Sequence, residues 1–173
     1  KSAEKEYTKR VSAATSRLNA LQNPGKGKKV VKVGRVTLFE HQIEFRGNAF
    51  DLDGLRISTN ITPNAAMLTL LFDDGKKLVE TYDTSWRDAG EGKQKRDYTH
   101  EEIIQFETAI NNYIVAEEDF VRALPGLITE AESILADENE NTHAIDSAAE
   151  NLQRQEGGSQ AVQDAKEARE ELV

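Results

Sequence analysis

At 173 residues, 38% of them apolar and only 6% aromatic, the chain is long enough for one compact domain with appendages and holds a modest core. It has no cysteine, which excludes a disulfide framework, a thiolate metal site and a thiol nucleophile, and it has no run near the roughly 18 apolar residues of a membrane span. Its net charge of -9 is unevenly spread: residues 1–35 carry ten Lys/Arg against two Glu, whereas residues 101–173 carry four against eighteen acids, so one end is basic and the other strongly acidic.

The chain begins at Lys1 without an initiator Met and without a signal-peptide pattern, so we expect a piece of a longer protein. Residues 2–21 read as a helix. Tyr7, Val11, Ala14, Leu18 and Leu21 step by four and three, with Lys5, Lys9, Arg10 and Arg17 beside them. Such a stripe needs a partner, and another helix of the same chain is the expected one. Asn23-Pro24-Gly25 ends this segment.

Residues 26–35 form a basic loop running into a first strand. Two readings stand: glycine beside Lys26, Lys28, Lys29, Lys32 and Arg35 offers amides and cations to an anion such as a lipid phosphate, or the lysines protect an edge strand from unwanted pairing. The spacing is not that of a P-loop, so nucleotide hydrolysis has no support.

Strands are expected at 28–33, 35–41, 43–46, 49–52, 55–61, 67–73 and 77–83. Ile43 and Phe45, Phe50 and Leu52, then Leu55, Ile57, Thr59 and Ile61 alternate with polar residues, the pattern of half-buried antiparallel strands. Gly34 is read as a bend joining the first two strands. Gly47-Asn48, Asp53-Gly54 and Asp74-Gly75 mark reversals, the last as a type I′ turn. Beyond Asp83, residues 88–97 read as a polar loop, and Trp86 as a plug over the open end of a barrel.

Thr99-His100-Glu101-Glu102 is a capping box that starts a helix. Ile103, Phe106, Ile110, Tyr113 and Ile114 share one face, broad enough to seal a sheet. Pro125-Gly126 should interrupt this helix, because the residue before proline is pushed out of helical geometry. Periodicity resumes at Leu127, Ile128, Ala131, Ile134 and Leu135. An acidic linker is expected at 137–142, a short helix at about 142–155, and a second break at Gly157-Gly158. A final helix is expected from Gln160 to the end.

No catalytic constellation emerges. His41, His100 and His143 fall on a strand, a helix start and the linker, with no spacing that gathers two on one face, and no nucleophile elbow exists. We therefore expect no enzyme, no metal and no small-molecule cofactor. Nucleic acid is disfavoured as a partner, since the basic segment lacks interleaved aromatics and the acidic third repels phosphate.

The order of short strands closed by an amphipathic helix, together with Val36-Thr37-Leu38-Phe39 after a charged helix and Phe106 with Ile110-Asn111-Asn112 in the closing helix, resembles bacterial pleckstrin-homology-like domains with flanking helices. The resemblance covers about residues 28–116. It implies an α+β fold: a split β-barrel of about seven antiparallel strands capped by a long helix, and a role in binding lipids, peptides or proteins. Two departures stand out. The cations do not keep the spacing of phosphoinositide binders, and the closing helix lacks the family's tryptophan.

The expected organisation is an N-terminal helix at 1–24, a barrel with its closing helix at 25–124 and an acidic helical region at 125–173, the two ends forming a helical extension. The expected role is a non-enzymatic scaffold with a protein partner or self-association. The alternative is a peripheral module that meets anionic lipid through the five cations. The expected location is cytoplasmic, with the inner membrane face for the alternative.

Overall fold

The computed structural model describes the backbone of residues 2–170 and the side chains of residues 4–164. In chain order the elements are α1 (Ser2–Gln22), β1 (Lys29–Val33), β2 (Val36–Phe39), β3 (Gln42–Phe45), β4 (Asn48–Asp51), β5 (Arg56–Thr62), β6 (Ala65–Leu71), β7 (Lys77–Asp83), β8 (Arg87–Gly90), β9 (Lys93–Lys95) and α2 (His100–Glu170). They group into two compact units, one spanning Gln22–Gly126 and the other joining the residues through Leu21 to those from Leu127 onward.

The first unit is α+β, and every strand pair in it is antiparallel. Its sheets have the orders β1-β2-β3-β4, β5-β6-β7 and β8-β9. Alternation decides what they bury. On β6, Ala66, Leu68 and Leu70 point inward, and their one-residue offsets are half-exposed. Val36, Leu38, Ile43 and Phe45 from the four-stranded sheet meet them, with Tyr82 from β7. Ile103, Phe106, Ile110 and Ile114 close the core from α2, a stripe of three- and four-residue steps. Ile103 and Ile110 are fully buried, which contributes about 1.5–3 kcal/mol each. The start of α2 is capped reciprocally: Glu102 N–H donates to Thr99 Oγ1 at 3.0 Å, and Thr99 N–H to Glu102 Oε2 at 2.9 Å.

Several expectations are corrected. No ladder joins the four-stranded to the three-stranded sheet among the described residues, so there is no closed barrel and β1 is a sheet edge. Gly34 turns a β1-β2 hairpin, with Val33 opposite Val36, in place of bending one long strand. The turn before β4 is Arg46-Gly47, one residue earlier than expected; both residues have positive φ, as a two-residue type I′ turn requires. At Asp74-Gly75 the φ of Gly75 alone is positive, and Phe72 accepts from the Gly75 N–H at 2.9 Å, which makes a three-residue loop ending in a left-handed glycine.

Residues 88–97, expected as loop, contain the β8-β9 hairpin. Its residues are exposed on both faces, so they carry no apolar alternation to betray a strand. Trp86 is no plug: it is 60% exposed, with the Arg96 guanidinium 4.6 Å from its ring centre.

The α2 helix runs unbroken through Pro125, the acidic stretch at 137–142 and Gly157-Gly158. Proline removes one ladder hydrogen bond but does not forbid the helix when both flanks are helical. The last three residues of the expected final helix lie outside the described residues.

In the second unit, burial follows the heptad-like stripe. On α1 it falls on Tyr7, Val11, Ala14, Leu18 and Leu21, and on α2 on Ile128, Ala131, Leu135, Glu138, Thr142 and Ile145, again in steps of four and three. Ala14 and Ala131 are the buried members, and the larger side chains stay half-exposed. From residue 146 to residue 164 every position is exposed.

Candidate functional site

The five cations expected to meet an anion do not form one cluster. Lys26 Nζ lies 2.6 Å from Glu44 Oε2 and 5.2 Å from the Phe39 ring centre. Arg35, at the β1-β2 turn, donates through Nε and Nη2 to Glu80 Oε1 at 3.2 and 3.0 Å. Both are therefore neutralised within the chain. Lys28 is fixed through its backbone, whose N–H donates to the Glu40 carboxylate at 2.8 Å. The ammonium groups of Lys28, Lys29 and Lys32 enter no ion pair among the described residues, and all three residues are exposed.

Lys29 and Lys32 stand on β1, one of the two edges of the four-stranded sheet. Beside that edge lies a groove of about 440 Å³, with Val30, Val31, Lys32 and Val33 of β1 on one wall and Glu102, Gln105, Phe106 and Ala109 of α2 on the other. The helix residues recur at three, four and seven positions, so they share a face. Val31, Val33, Phe106 and Ala109 give the groove an apolar floor continuous with the core. Val30 sits in a break of register between Lys29 and Val31, a bulge that leaves it outside the ladder and 36% exposed. The Glu102 carboxylate is held at the rim by its capping bond to Thr99.

The outer edge of β1 offers backbone donors and acceptors that no neighbouring strand takes. An open edge, an apolar floor and lysine ammonium groups together suit an extended peptide: main-chain bonds hold it, and alternate side chains enter the groove. The edge is held in place from behind, since Tyr82 donates its phenolic hydrogen to the Val33 carbonyl at 3.0 Å. Burial, first, and then the nearby Glu80 push the Tyr82 phenol well above its ordinary range, so it remains a donor at every working pH.

The histidines are dispersed. His41 Nδ1 lies 2.6 Å from Glu117 Oε2, with the Phe120 ring centre 4.8 Å away. His100 Nε2 lies 2.8 Å from Thr84 Oγ1, and His143 is exposed on α2. None shares a site with another.

Sequence reasoning singled out residues 26–35 but missed the helix wall of the groove. The three-four-seven spacing of Glu102, Gln105, Phe106 and Ala109 was available; that this face borders β1 was not. The chain matches no protein-family model, no curated protein and no solved structure.

Proposed function

We propose that the chain is a non-enzymatic binding and scaffolding module built on a pleckstrin-homology-like domain, and that it takes an extended segment of a partner protein along β1. A four-stranded and a three-stranded antiparallel sheet followed by a core-sealing helix support the domain reading. The observation that carries the functional reading is the open β1 edge beside the apolar groove. Lys29 and Lys32 favour a segment that alternates apolar with acidic residues, and a bare edge without the groove would be no more than a protected one.

A random linear peptide display library, panned on the immobilised protein, tests this. Enrichment of alternating apolar and acidic residues is expected, with amide shift changes confined to β1 and the first turns of α2. Binding should fall at least about tenfold in Gln105→Trp, which fills the groove from an exposed position. Failure to enrich, or shifts elsewhere, would sink the reading.

A second reading rests on the exposed, unpaired ammonium groups of Lys28, Lys29 and Lys32: a peripheral module at an anionic lipid surface. Three cations near such a surface contribute about 1 kcal/mol each. Salt-sensitive binding to vesicles containing phosphatidylserine, lost when the three lysines become Gln, would favour it over the peptide. Among the described residues no helix is long and apolar enough to cross a membrane.

A further inference from the structure

The helical unit leaves two complementary surfaces uncovered. One is the outer face of α1, where Lys5, Lys9 and Arg17 are exposed and enter no ion pair among the described residues; only Arg10 is paired, with Glu6 at 3.3 Å. A surface hollow of about 560 Å³ follows this face along Glu4, Lys5, Thr8, Lys9 and Ser12. The other is the end of α2. Residues 127–153 hold seven acids and no Lys or Arg, and past Ile145 the helix is bare, with Leu152 and Val162 each 59% exposed.

A bare helix of this composition is unfavourable in water. Helices in proteins draw most of their stability from packing one face, and Gly157 and Gly158 disfavour this one further. Something must lie against it for the continuous α2 to persist. Its own α1 is out of reach, because an unbroken helix cannot turn back on the segment it has just left.

We propose that residues 146–170 dock on α1 of a second copy of this chain, and that the two copies exchange this contact about a two-fold axis. The lengths agree: α1 has 21 residues, about 31 Å, and residues 146–170 span about 37 Å. The charges agree in sum: residues 146–170 carry six acids against three Lys/Arg, α1 carries four Lys/Arg against two Glu, and Asp146, Glu150 and Glu156 of one copy meet Lys5, Lys9 and Arg17 of the other. Every copy carries both halves once, so exchange about a two-fold axis satisfies both halves of each copy and leaves none open to propagate. Leu152 is the apolar anchor: it lies seven residues past Ile145, on the seam that Ala131, Leu135, Glu138, Thr142 and Ile145 follow in steps of four and three.

Sedimentation equilibrium on the full chain provides the test. A mass of twice 19.3 kDa is expected at micromolar concentration, with the dimer weakening as salt rises. Asp146→Lys with Glu150→Lys and Glu156→Lys should weaken dimerisation by about tenfold or more, as should Lys5→Glu with Lys9→Glu and Arg17→Glu. Mixing the two triple variants should restore a dimer of one copy each, since both exchanged contacts are then complementary. That recovery separates charge pairing from a mere failure to fold. A wild-type monomer up to about 100 µM, a dimer that survives truncation after Ile145, or a mixture that stays monomeric would overturn the proposal.

Discussion

Arg35 and Glu80 stand 45 residues apart in the chain, yet the guanidinium places two hydrogen bonds, 3.2 and 3.0 Å long, on a single carboxylate oxygen. Glu80 is 5% exposed and points from β7 toward the core side of its sheet, beside Tyr82. Its second oxygen, Oε2, is buried without a hydrogen-bond partner. This pair and the Tyr82 bond to Val33 tie the β1-β2 turn to the three-stranded sheet where no strand ladder does.

Removing Arg35 leaves a buried carboxylate without its cation. Because the Arg35 side chain is itself 56% exposed, solvent screens part of the attraction, and Arg35→Ala should cost about 1–3 kcal/mol in urea unfolding. Arg35→Ala combined with Glu80→Gln should recover part of that loss, because the uncompensated charge is then gone. Strict additivity of the two single changes would show that the pair is not coupled.

Gly34 is required at the same turn. Its φ is +61°, and a Cβ there would stand 2.8 Å from Tyr82 Cε1. Gly34→Ala therefore meets both a left-handed backbone penalty and a ring that must shift, and a loss of about 1–3 kcal/mol is expected. Tyr82→Phe removes only the bond to Val33 and should cost about 1 kcal/mol. Equal stability of wild type and Gly34→Ala in thermal unfolding would contradict this account of the turn.

Asp83 ends β7 and anchors the chain leading into β8. The Ser85 hydroxyl, the Ser85 N–H and then Arg87 hold its carboxyl down at about 2. Arg87 also reaches Asp97 at 3.0 Å, bracketing the β8-β9 hairpin. A depressed carboxylate stabilises the fold fully above the unfolded range near pH 4 and loses that contribution as pH falls toward 2. An NMR titration of the Asp83 carboxyl should therefore have its midpoint near 2. A midpoint near 4, or unchanged β8-β9 amide exchange in Asp83→Asn, would remove this role.

Local periodicity by itself determined the seven core strands, the capped start of α2 and the stripe on α1, because a two-residue or three-to-four-residue repeat of apolar side chains is already a statement about which face leaves water. Ile43 with Phe45, Leu68 with Leu70, and Ile103 with Phe106 and Ile110 are buried as that rule requires. The rule fails where side chains carry no such repeat. The β8-β9 hairpin is polar on both faces, and Trp86 is large and apolar yet sits in solvent against Arg96. Breaker residues misled for a related reason: Pro125 and Gly157-Gly158 weaken a helix locally, but the chain on both sides decides whether it continues.

Only the tertiary structure decided which of the basic residues remain available. Lys26 and Arg35 are paired with Glu44 and Glu80, 18 and 45 positions away, and no local pattern encodes those partners. It also decided that β1 is an edge of its sheet and that this edge lies beside the Gln105 and Phe106 face of α2. A groove is a property of two surfaces. The sequence specifies each surface through its own periodicity, and only folding the chain brings them side by side.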